Sequence, residues 1–412
     1  MSEATFLEKL LDLSADQAGG AEVCLSGRQV EWVRLEKLGN LVRGNGLPKR
    51  DFTESGVPAI HYGQIYTYYG LSTNLTISFV SKETAKKLRK VDTGDVVITN
   101  TSENFEDVGK ALVYLGEDQA VTGGHATIFK PSDMILGKYF AYFTQTAVFD
   151  KSKRKYAKGA KVIDVSAKDM AKIPIPIPCP DNPEKSLAIQ AEIVRILDTF
   201  TELTAELTAE LTARKKQYDY YRDQLLTFKD GEVEWKTLGE VYKFQYGMGN
   251  TIPTLGGEYP IYGSNGIVGA HNEFNSEDSP VIGHIGAYAG IVNWGKGKHF
   301  VTYNGVICRL ISERVSSKYA YYQLLKQDFN SMAKSASHPF VSYAELNKVL
   351  IPIPSPSEQV RIVAILDQFD TLTHSISEGL PREIELRQKQ YEYYRDLLLN
   401  FPKSEPQTEI VA

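Results

Sequence analysis

The chain has few of the residue patterns that indicate secretion, membrane insertion or metal binding. Its 412 residues include three cysteines, which are odd in number and widely spaced and so predict neither a disulfide framework nor a zinc site. No apolar run approaches the roughly 18 residues that a membrane span requires, and the first residues do not form a signal peptide. We therefore expect a protein of the cytoplasm, away from the membrane.

Motifs of catalysis are also missing. The glycine pairs at 44–46 and 247–249 complete no nucleotide-binding pattern and predict turns. The small residues at 283–290 could bring the backbone close to a ligand, although a tightly packed turn explains them equally well. The seven histidines lack metal-ligand spacing, and no amino-methyltransferase motif or nuclease carboxylate cluster is present. These absences predict a chain that is not itself an enzyme and holds no cofactor or metal.

A long internal repeat dominates the sequence. RKKQYDYYRDQLLTF at 214–228 returns as RQKQYEYYRDLLLNF at 387–401, and IVRILDTF at 193–200 returns as IVAILDQF at 362–369. A proline-alternating stretch precedes each copy, at 165–178 and 341–354. It predicts an edge strand or a rigid entry into the helix, because proline cannot donate to a central ladder. The chain is therefore expected to contain two copies of one plan, each a variable block followed by a near-constant helix, with pseudo-twofold symmetry.

The near-constant segments have the periodicity of paired helices. Apolar residues at 189–228 recur at intervals of three and four, with one extra four-residue step inside ELTAELTAEL at 202–211, where TAEL occurs twice. This pattern predicts a coiled-coil seam with a stutter. The second seam, at 362–401, is expected to bend or to be interrupted at Gly379-Leu380-Pro381. Forty helical residues extend about 60 Å, so we expect the helices to separate the blocks. Dimerisation between chains is the alternative to pairing within one chain.

We expect an α/β (α+β) fold, in which two globular domains of mixed α/β structure are separated by two long helices. The seam alone fits a parallel or an antiparallel coiled coil, and we expect the antiparallel pairing. The predicted segments are an N-terminal helix and linker at 1–29, a first block at 30–178, a central helix at 186–228, a second block at 233–354, a C-terminal helix at 358–401 and a tail at 402–412.

The variable blocks are basic although the whole chain carries a net charge of −5. Residues 31–175 contain 21 Lys and Arg against 16 Asp and Glu, and residues 235–350 contain 10 against 8. The segment 151–161 has six basic residues and no acidic one, which fits phosphate contacts, although such a run is more often a solvated face.

Polar and aromatic turns accompany the basic residues, and Asn, Gln, Ser and Arg can read base edges. The candidate DNA-binding residues are Lys49, Arg50, Tyr62, Gln64, Asn100, Ser102, Lys110, His125, Lys151, Lys153, Arg154, Lys155, Lys158 and Lys161 in the first block, and Tyr262, Ser264, Asn265, His284, Tyr288, Tyr303, Asn304 and His338 in the second.

The duplicated IVxILDxF and QYxYYRDxLLxF blocks, with tandem TAEL between them, resemble the specificity subunit of type I restriction–modification systems, most closely its IC class. The resemblance covers essentially the whole chain. It implies that each variable block is a target recognition domain for one half of a bipartite double-stranded DNA site. It also implies that the helices set the spacer and dock two methyltransferase subunits, which carry S-adenosylmethionine and methylate adenine. Motor-nuclease subunits with ATP and Mg join for cleavage.

Docking by the constant helices implies partner-binding roles for residues of the repeat: Gln190, Tyr218, Tyr221, Arg222, Gln359, Tyr391, Tyr394 and Arg395. Two other functions stay open from the residues alone. One is a coiled-coil scaffold that binds proteins through its variable blocks, and the other is a stand-alone DNA methyltransferase or nuclease. The bases that would be recognised cannot be read from the sequence.

Overall fold

A computed structural model describes residues 30–250, 252–253, 256–332, 339–375 and 377–401. The predicted helix and linker at 1–29, the tail at 402–412 and His338 lie outside these ranges. The chain divides into two compact units, of which the first holds the residues up to Ala205 and those from Leu386, and the second holds Glu206–Glu385.

The first unit is built mainly from two five-stranded sheets. Its elements in chain order are β1 (Val30–Arg34), β2 (Gly39–Arg43), β3 (Phe52–Thr53), β4 (Val57–Ile60), α1 (Tyr62–Thr67), β5 (Ser72–Thr73), β6 (Ser78–Val80), α2 (Lys82–Lys87), β7 (Arg89–Val91), β8 (Val96–Thr99), β9 (Thr101–Ser102), β10 (Ala111–Tyr114), β11 (Ala120–Thr122), β12 (Ala126–Pro131), α3 (Gly137–Phe143), α4 (Ala147–Arg154), β13 (Ile163–Asp164), α5 (Ala167–Met170) and β14 (Pro174–Pro178). Two short 3-10 helices, at Leu35–Lys37 and Lys49–Asp51, precede β2 and β3. The strand orders of the two sheets are β2-β12-β8-β10-β5 and β3-β6-β4-β11-β7.

The long helix α6 (Pro183–Leu225) follows β14 after a linker of four residues. The second unit is organised around one six-stranded sheet. Its elements are β15 (Glu234–Thr237), α7 (Leu238–Val241), β16 (Tyr242–Tyr246), β17 (Tyr259–Gly263), β18 (Gly266–His271), β19 (Ser276–Gly283), β20 (Val292–Val301), β21 (Gly305–Leu310), α8 (Ser317–Lys326), α9 (Tyr343–Leu346), β22 (Leu350–Ile353), α10 (Pro356–His374) and α11 (Gly379–Leu399), of which α11 belongs to the first unit from Leu386 onwards. The strand order of the sheet is β16-β21-β19-β20-β17-β18.

The proline-alternating stretches form two-stranded ribbons. In the first unit β14 pairs antiparallel with β1, and in the second β22 pairs antiparallel with β15. Proline at alternate positions removes the N–H donors from one edge of a strand, so such a strand can pair on one side only. The prediction of an edge strand is confirmed in both copies.

The second conserved helical segment is broken where the sequence predicts an interruption. Helix α10 ends at His374 and α11 begins at Gly379. Gly379 has φ of +73°, and a Cβ atom there would lie 2.4 Å from the carbonyl oxygen of Thr371. Only glycine fits this break, because both the backbone conformation and the close approach exclude a side chain.

Each unit pairs the beginning of one conserved helix with the end of the other. In the first unit Phe200 of α6 stacks on Tyr394 of α11, with ring centroids 5.1 Å apart. In the second unit Tyr221 of α6 stacks on Phe369 of α10 at 5.8 Å. This pairing is the one expected for an antiparallel pair of helices, and the predicted fold of two mixed α/β domains with long helices is confirmed.

The structure also shows the state of two cysteines and the character of the helices. Cys308 is a buried free thiol, whereas Cys179 takes part in a disulfide bond that the cysteine spacing does not predict. Within the described ranges, none of the helices has the length and apolar content of a membrane span.

Candidate nucleic-acid interface

Several loops of the first unit meet at one edge, which we name the first loop edge (residues 44–50, 61–64, 100–110 and 123–125). Asn100 leaves β8 and His125 enters β12, and the backbone N–H of Asn100 donates to the carbonyl of His125 at 2.8 Å. The hydroxyl of Thr101 lies 2.9 Å from Nδ1 of the His125 ring. The side chain of Arg43 donates to the carbonyl of Gly124 at 3.0 Å. Residues far apart in the sequence are thus held in one place.

Aromatic rings form the centre of this edge. The ring of Tyr62 lies between those of His61 and His125, at centroid distances of 4.6 and 4.9 Å. Nδ1 of His61 accepts from the N–H of Gly63, and the Gln64 side chain accepts from the N–H of His61, which closes the N-terminus of α1. Gln64 is therefore a capping residue, although its side-chain amide also donates to Ser78.

The protonation of His61 follows from this packing. Burial, with smaller electrostatic contributions from His125 and Lys49, lowers the pKa of the ring. Since Nδ1 accepts a hydrogen bond, the neutral ring carries its proton on Nε2. The side chain therefore offers a neutral N–H donor beside an exposed lysine. Sequence reasoning missed His61, whose only signal is its position before Tyr62 in the PAIHYG segment.

Two predicted base-reading side chains are buried instead. Asn100 is fully buried, and its side-chain oxygen accepts from the hydroxyl of Thr127 at 2.8 Å. Ser102 is 7% exposed and lies in β9, which pairs with β13. The prediction that these side chains read bases is not supported by this conformation, because neither is accessible. They stabilise the loops that carry their exposed neighbours.

The predicted basic stripe at 151–161 is not one surface. Lys151 and Lys155 of the α4 region border a cleft with Trp32 and Phe401. The exposed Lys161, by contrast, lies in the loop between Lys158 and β13, and β13 pairs with β9 of the first loop edge. The basic residues of 151–161 therefore lie on two different elements, helix α4 and the loop before β13. Among the described residues, Lys49 and Arg50 are exposed at the same edge, on the 3-10 helix that precedes β3.

The structure does not support the prediction that Lys153 contacts a DNA phosphate. It is 5% exposed, its ammonium group donates to the carbonyl of Val108 at 2.7 Å, and it lies 3.2 Å from Asp150. Burial lowers the pKa of Lys153. The side chain fastens α4 to the loop before β10, since a buried ammonium group needs such partners. Arg154 remains partly exposed but pairs with Asp150 at 2.6 Å, and Lys110 pairs with Asp107 at 2.7 Å.

A second loop edge lies in the second unit (residues 247–250, 283–290 and 302–304). The ring of His284 packs against Tyr246 and Tyr303, with centroids 4.2 and 5.5 Å apart. Nδ1 of His284 lies 3.0 Å from the carbonyl oxygen of Val341, and because a carbonyl only accepts, Nδ1 carries a proton. Burial lowers the pKa of His284, which keeps the ring neutral. The side chain is 6% exposed, so the prediction that His284 contacts DNA is not supported, as for Ser102.

The predicted DNA-binding residues of the second block differ in their exposure to solvent. Tyr303 and Tyr288 are 46% and 49% exposed; Asn265 is exposed, while Ser264 and Asn304 are partly buried. Tyr262 is buried, and its hydroxyl donates to the carbonyl of Trp294 at 3.1 Å. Tyr262 is therefore a packing residue, and its prediction as a DNA contact is not supported.

The two loop edges are copies of each other at the level of the backbone. The N–H of Asn100 donates to the carbonyl of His125, and the N–H of His284 donates to the carbonyl of Asn304, both at 2.8 Å. The carbonyls of Asn100 and His284 in turn accept from Val165 and Val341, both at 2.9 Å. Val165 and Val341 open the matching repeat segments, so Asn100 corresponds to His284.

The glycine turns also correspond. The N–H of Gly44 donates to the carbonyl of Ala126 and that of Gly247 to the carbonyl of Gly305. A Cβ atom on Gly44 or Gly247 would lie 2.1 Å from a carbonyl oxygen of the neighbouring loop. One framework therefore presents different side chains in the two units, such as Arg43 at the end of β2 and Tyr246 at the end of β16. Comparison of the two repeats along the sequence does not identify Arg43 and Tyr246, because these positions correspond only through the pairing of their strands.

The predicted partner-binding residues need a larger correction. Gln190 and Gln359 are buried and bind loops of their own units, as set out below. Tyr218, Tyr391 and Tyr394 are also buried in their own units, whereas Tyr221 is 41% exposed. The side chains of Arg222 and Arg395 are 19% and 15% exposed and pair with neighbouring aspartates.

The exposed tyrosines of the repeat are different ones. Tyr220 is 62% exposed and its counterpart Tyr393 is 55% exposed. They occupy the same position in QYDYYRD and QYEYYRD, on the outer face of α6 and α11. The heptad register separates them from Tyr218 and Tyr391, which face inward. Among the described residues, no group of three or more His, Cys, Asp or Glu side chains could hold a metal ion.

Comparison with known proteins points to one family. The family model described as type I restriction modification DNA specificity domain matches residues 28–214 and 231–386. A type I restriction enzyme specificity subunit of Escherichia coli is 37% identical, with 98% of this chain and 99% of that protein aligned. A putative specificity subunit of Haemophilus influenzae is 30% identical over 96% and 98% of the two chains.

Solved structures show a similar fold. The S subunit of a type I restriction–modification system from M. genitalium superposes with a TM-score of 0.58 at 17% identity, covering 91% of this chain and 97% of that one. A chain from a structure of the type I R-M system, described in terms of complex assembly and conformational transition, gives a TM-score of 0.57 at 14% identity, covering 90% and 98%.

Proposed function

Because the chain belongs to the family of type I restriction–modification DNA specificity subunits, which recognise DNA sequence and are not themselves catalytic, we propose that each unit reads one half of a bipartite double-stranded DNA site through its loop edge. The observation that carries this proposal is the duplicated loop edge. Three backbone hydrogen bonds recur in both units while the side chains at the matched positions differ. A shared framework with different side chains is what two separate recognition tasks require.

The chemistry of each edge suits contact with DNA. The first edge combines exposed Lys49 and Arg50 with polar and aromatic groups of His61, Tyr62 and His125. Lysine and arginine contact phosphates and set position, whereas hydrogen-bonding side chains in a groove distinguish bases. The second edge has fewer basic groups, with exposed Tyr303 and Tyr288. We therefore assign stronger phosphate anchoring to the first unit.

The conserved helices set the distance between the half-sites and dock two methyltransferase subunits in this proposal. Tyr220 and Tyr393 replace the buried tyrosines as docking residues, because they are exposed and occupy matching positions. Identical partner subunits need matching surfaces. S-adenosylmethionine belongs to the methyltransferase subunits, and ATP with Mg belongs to the motor-nuclease subunits.

Mapping of methylated adenines tests the proposal. The chain is expressed with its methyltransferase subunit in a host without other adenine methylation, and methylated positions are read by single-molecule sequencing. We expect one bipartite motif with a fixed spacer. A His61→Ala/Tyr62→Ala variant should relax one half of the motif only, and a Tyr303→Ala variant should relax the other half only. A continuous motif, or variants that both alter the same half, would contradict the assignment of one half-site to each unit.

A further inference from the structure

A second set of interactions is duplicated as closely as the loop edges but lies where each domain meets its helix. In the first unit, the hydroxyl of Tyr142 donates to one carboxylate oxygen of Asp198 at 2.7 Å, and Lys138 donates to the other at 2.8 Å. Lys138 and Tyr142 belong to α3 of the variable block. Asp198 belongs to α6 and is the aspartate of IVRILDTF.

The second unit contains the same contact. Tyr322 of α8 donates to a carboxylate oxygen of Asp367, the aspartate of IVAILDQF in α10, and Lys318 lies 3.4 Å from the same carboxylate. The lysine and tyrosine have the same spacing in KYFAYF and KYAYY. Between them the sequences differ, since Phe140 stands where the second copy has alanine. The polar pair is thus retained while the surrounding apolar packing changes.

The buried glutamines of the repeat supply a second attachment eight residues earlier on each helix. Gln190 accepts from the N–H of Leu136 at 2.9 Å and donates to the carbonyl of Met134 at 3.0 Å. The second unit repeats both bonds at 2.9 and 3.0 Å, between Gln359 and the backbone of Ser316 and Arg314. Eight residues of helix correspond to about 12 Å. Each block is therefore held at two heights of one helix, which opposes pivoting.

We propose that this contact, which we name the domain clamp (Lys138, Tyr142 and Asp198, and Lys318, Tyr322 and Asp367), fixes the orientation of each recognition domain on its helix and thereby the spacer length that the protein accepts. The inference rests on the proposed function. Apolar packing between a domain and a helix is non-directional, whereas hydrogen bonds to a charged group have a preferred geometry. The clamp residues are positioning residues, since they act through the loop edges and need not touch DNA.

The test compares two tyrosines of the same helix. Tyr142→Phe removes the clamp hydroxyl, whereas Tyr139→Phe removes a hydroxyl that donates to the carbonyl of Pro176 inside the same block. Both side chains are buried, so the two variants lose the same atoms from similar surroundings. Each variant is expressed with the methyltransferase subunits. Methylation is then measured at sites with the native spacer and at sites one base pair longer or shorter.

For Tyr142→Phe, we expect the preference for the native spacer to fall on the order of tenfold, as for loss of one hydrogen bond to a charged group, with unchanged half-site letters. Tyr139→Phe should leave this preference unchanged. Equal effects of the two variants, or lower methylation at all spacers in the same ratio, would overturn the proposal. Lys138→Gln, at a side chain that is 27% exposed, gives a second reading if Tyr142→Phe does not fold.

The outcomes also separate the clamp from the proposed function. A wild-type complex that methylates no bipartite motif refutes the proposed function. A wild-type complex with a bipartite motif and a Tyr142→Phe variant with an unchanged spacer preference refutes the clamp alone.

Discussion

Insertion of one TAEL tetrapeptide into α6 should lengthen the DNA spacer without changing either half-site. The tandem copies at 204–207 and 208–211 lie inside the continuous helix Pro183–Leu225. They span the position where the first unit ends, at Ala205, and the second begins, at Glu206. No residue from 201 to 211 is buried. Additional residues at this point would therefore disturb little of the packing within either unit.

The magnitude follows from helix geometry. Four residues add about 6 Å of length and about 40° of rotation beyond one full turn, and one DNA base pair occupies roughly 3.4 Å. We expect a spacer longer by one or two base pairs, and a spacer shortened by the same amount when one TAEL is deleted. The small excess rotation keeps the apolar seam near its original face, so we expect the helix to accept a four-residue unit.

Methylation mapping of the insertion and deletion variants measures this effect. Thr208→Ala provides a control of unchanged length, because its residue is exposed and alanine favours helix; its spacer should equal that of the wild type. Altered half-site letters, or an unchanged spacer in the insertion variant, would refute the role of α6 in setting the distance.

Three other predictions concern the separate units. Replacing Gln190 with alanine leaves the N–H of Leu136 and the carbonyl of Met134 without their partner, which should lower the free energy of unfolding by about 2–4 kcal/mol in urea titration; no loss of stability would contradict the attachment. Replacing Lys158 and Lys161 with alanine should reduce the slope of log affinity against log salt concentration for non-specific DNA binding by about 2. Lys153→Met should leave that slope unchanged, because Lys153 is buried. The reverse pattern would support Lys153 as a phosphate contact. Burial lowers the pKa of His61, His284 and His299, so the unfolded state takes up protons before the folded state does as the pH falls. The contribution of these histidines to stability is therefore present above about pH 6.5 and is lost as the pH falls from there through the lowered pKa values. The urea midpoints at pH 7.5 and 5.5 should differ less in a His299→Gln variant than in the wild type.

Much of the architecture was readable from the sequence because it depends on intervals between neighbouring residues. The three-and-four spacing of apolar residues predicts long paired helices, and the break at Gly379 follows from one glycine and one proline. The repeat also identified two copies of one plan. The family resemblance carried by the repeat, together with net positive charge in each block and the lack of a catalytic motif, predicts DNA recognition rather than catalysis.

The individual site residues could not be assigned in the same way, because exposure depends on contacts between distant segments. The run 151–161 has six basic residues, yet Lys153 is buried by a contact with Val108. Tyr218 and Tyr220 are two positions apart, and the helix places one inside and the other outside. His61 acquires its role only when Tyr62 brings it beside His125.

The sequence by itself determined the duplicated plan, the helix period and the family resemblance, since these are properties of order along the chain. Only the tertiary structure decided which side chains of that plan are exposed, and that Asn100 and His284 hold equivalent places in two blocks of different sequence. The physical reason is that strand pairing and burial join residues far apart in the chain. Those long-range contacts divide the residues of the repeat into an inner set that holds each domain on its helix and an outer set available to partners.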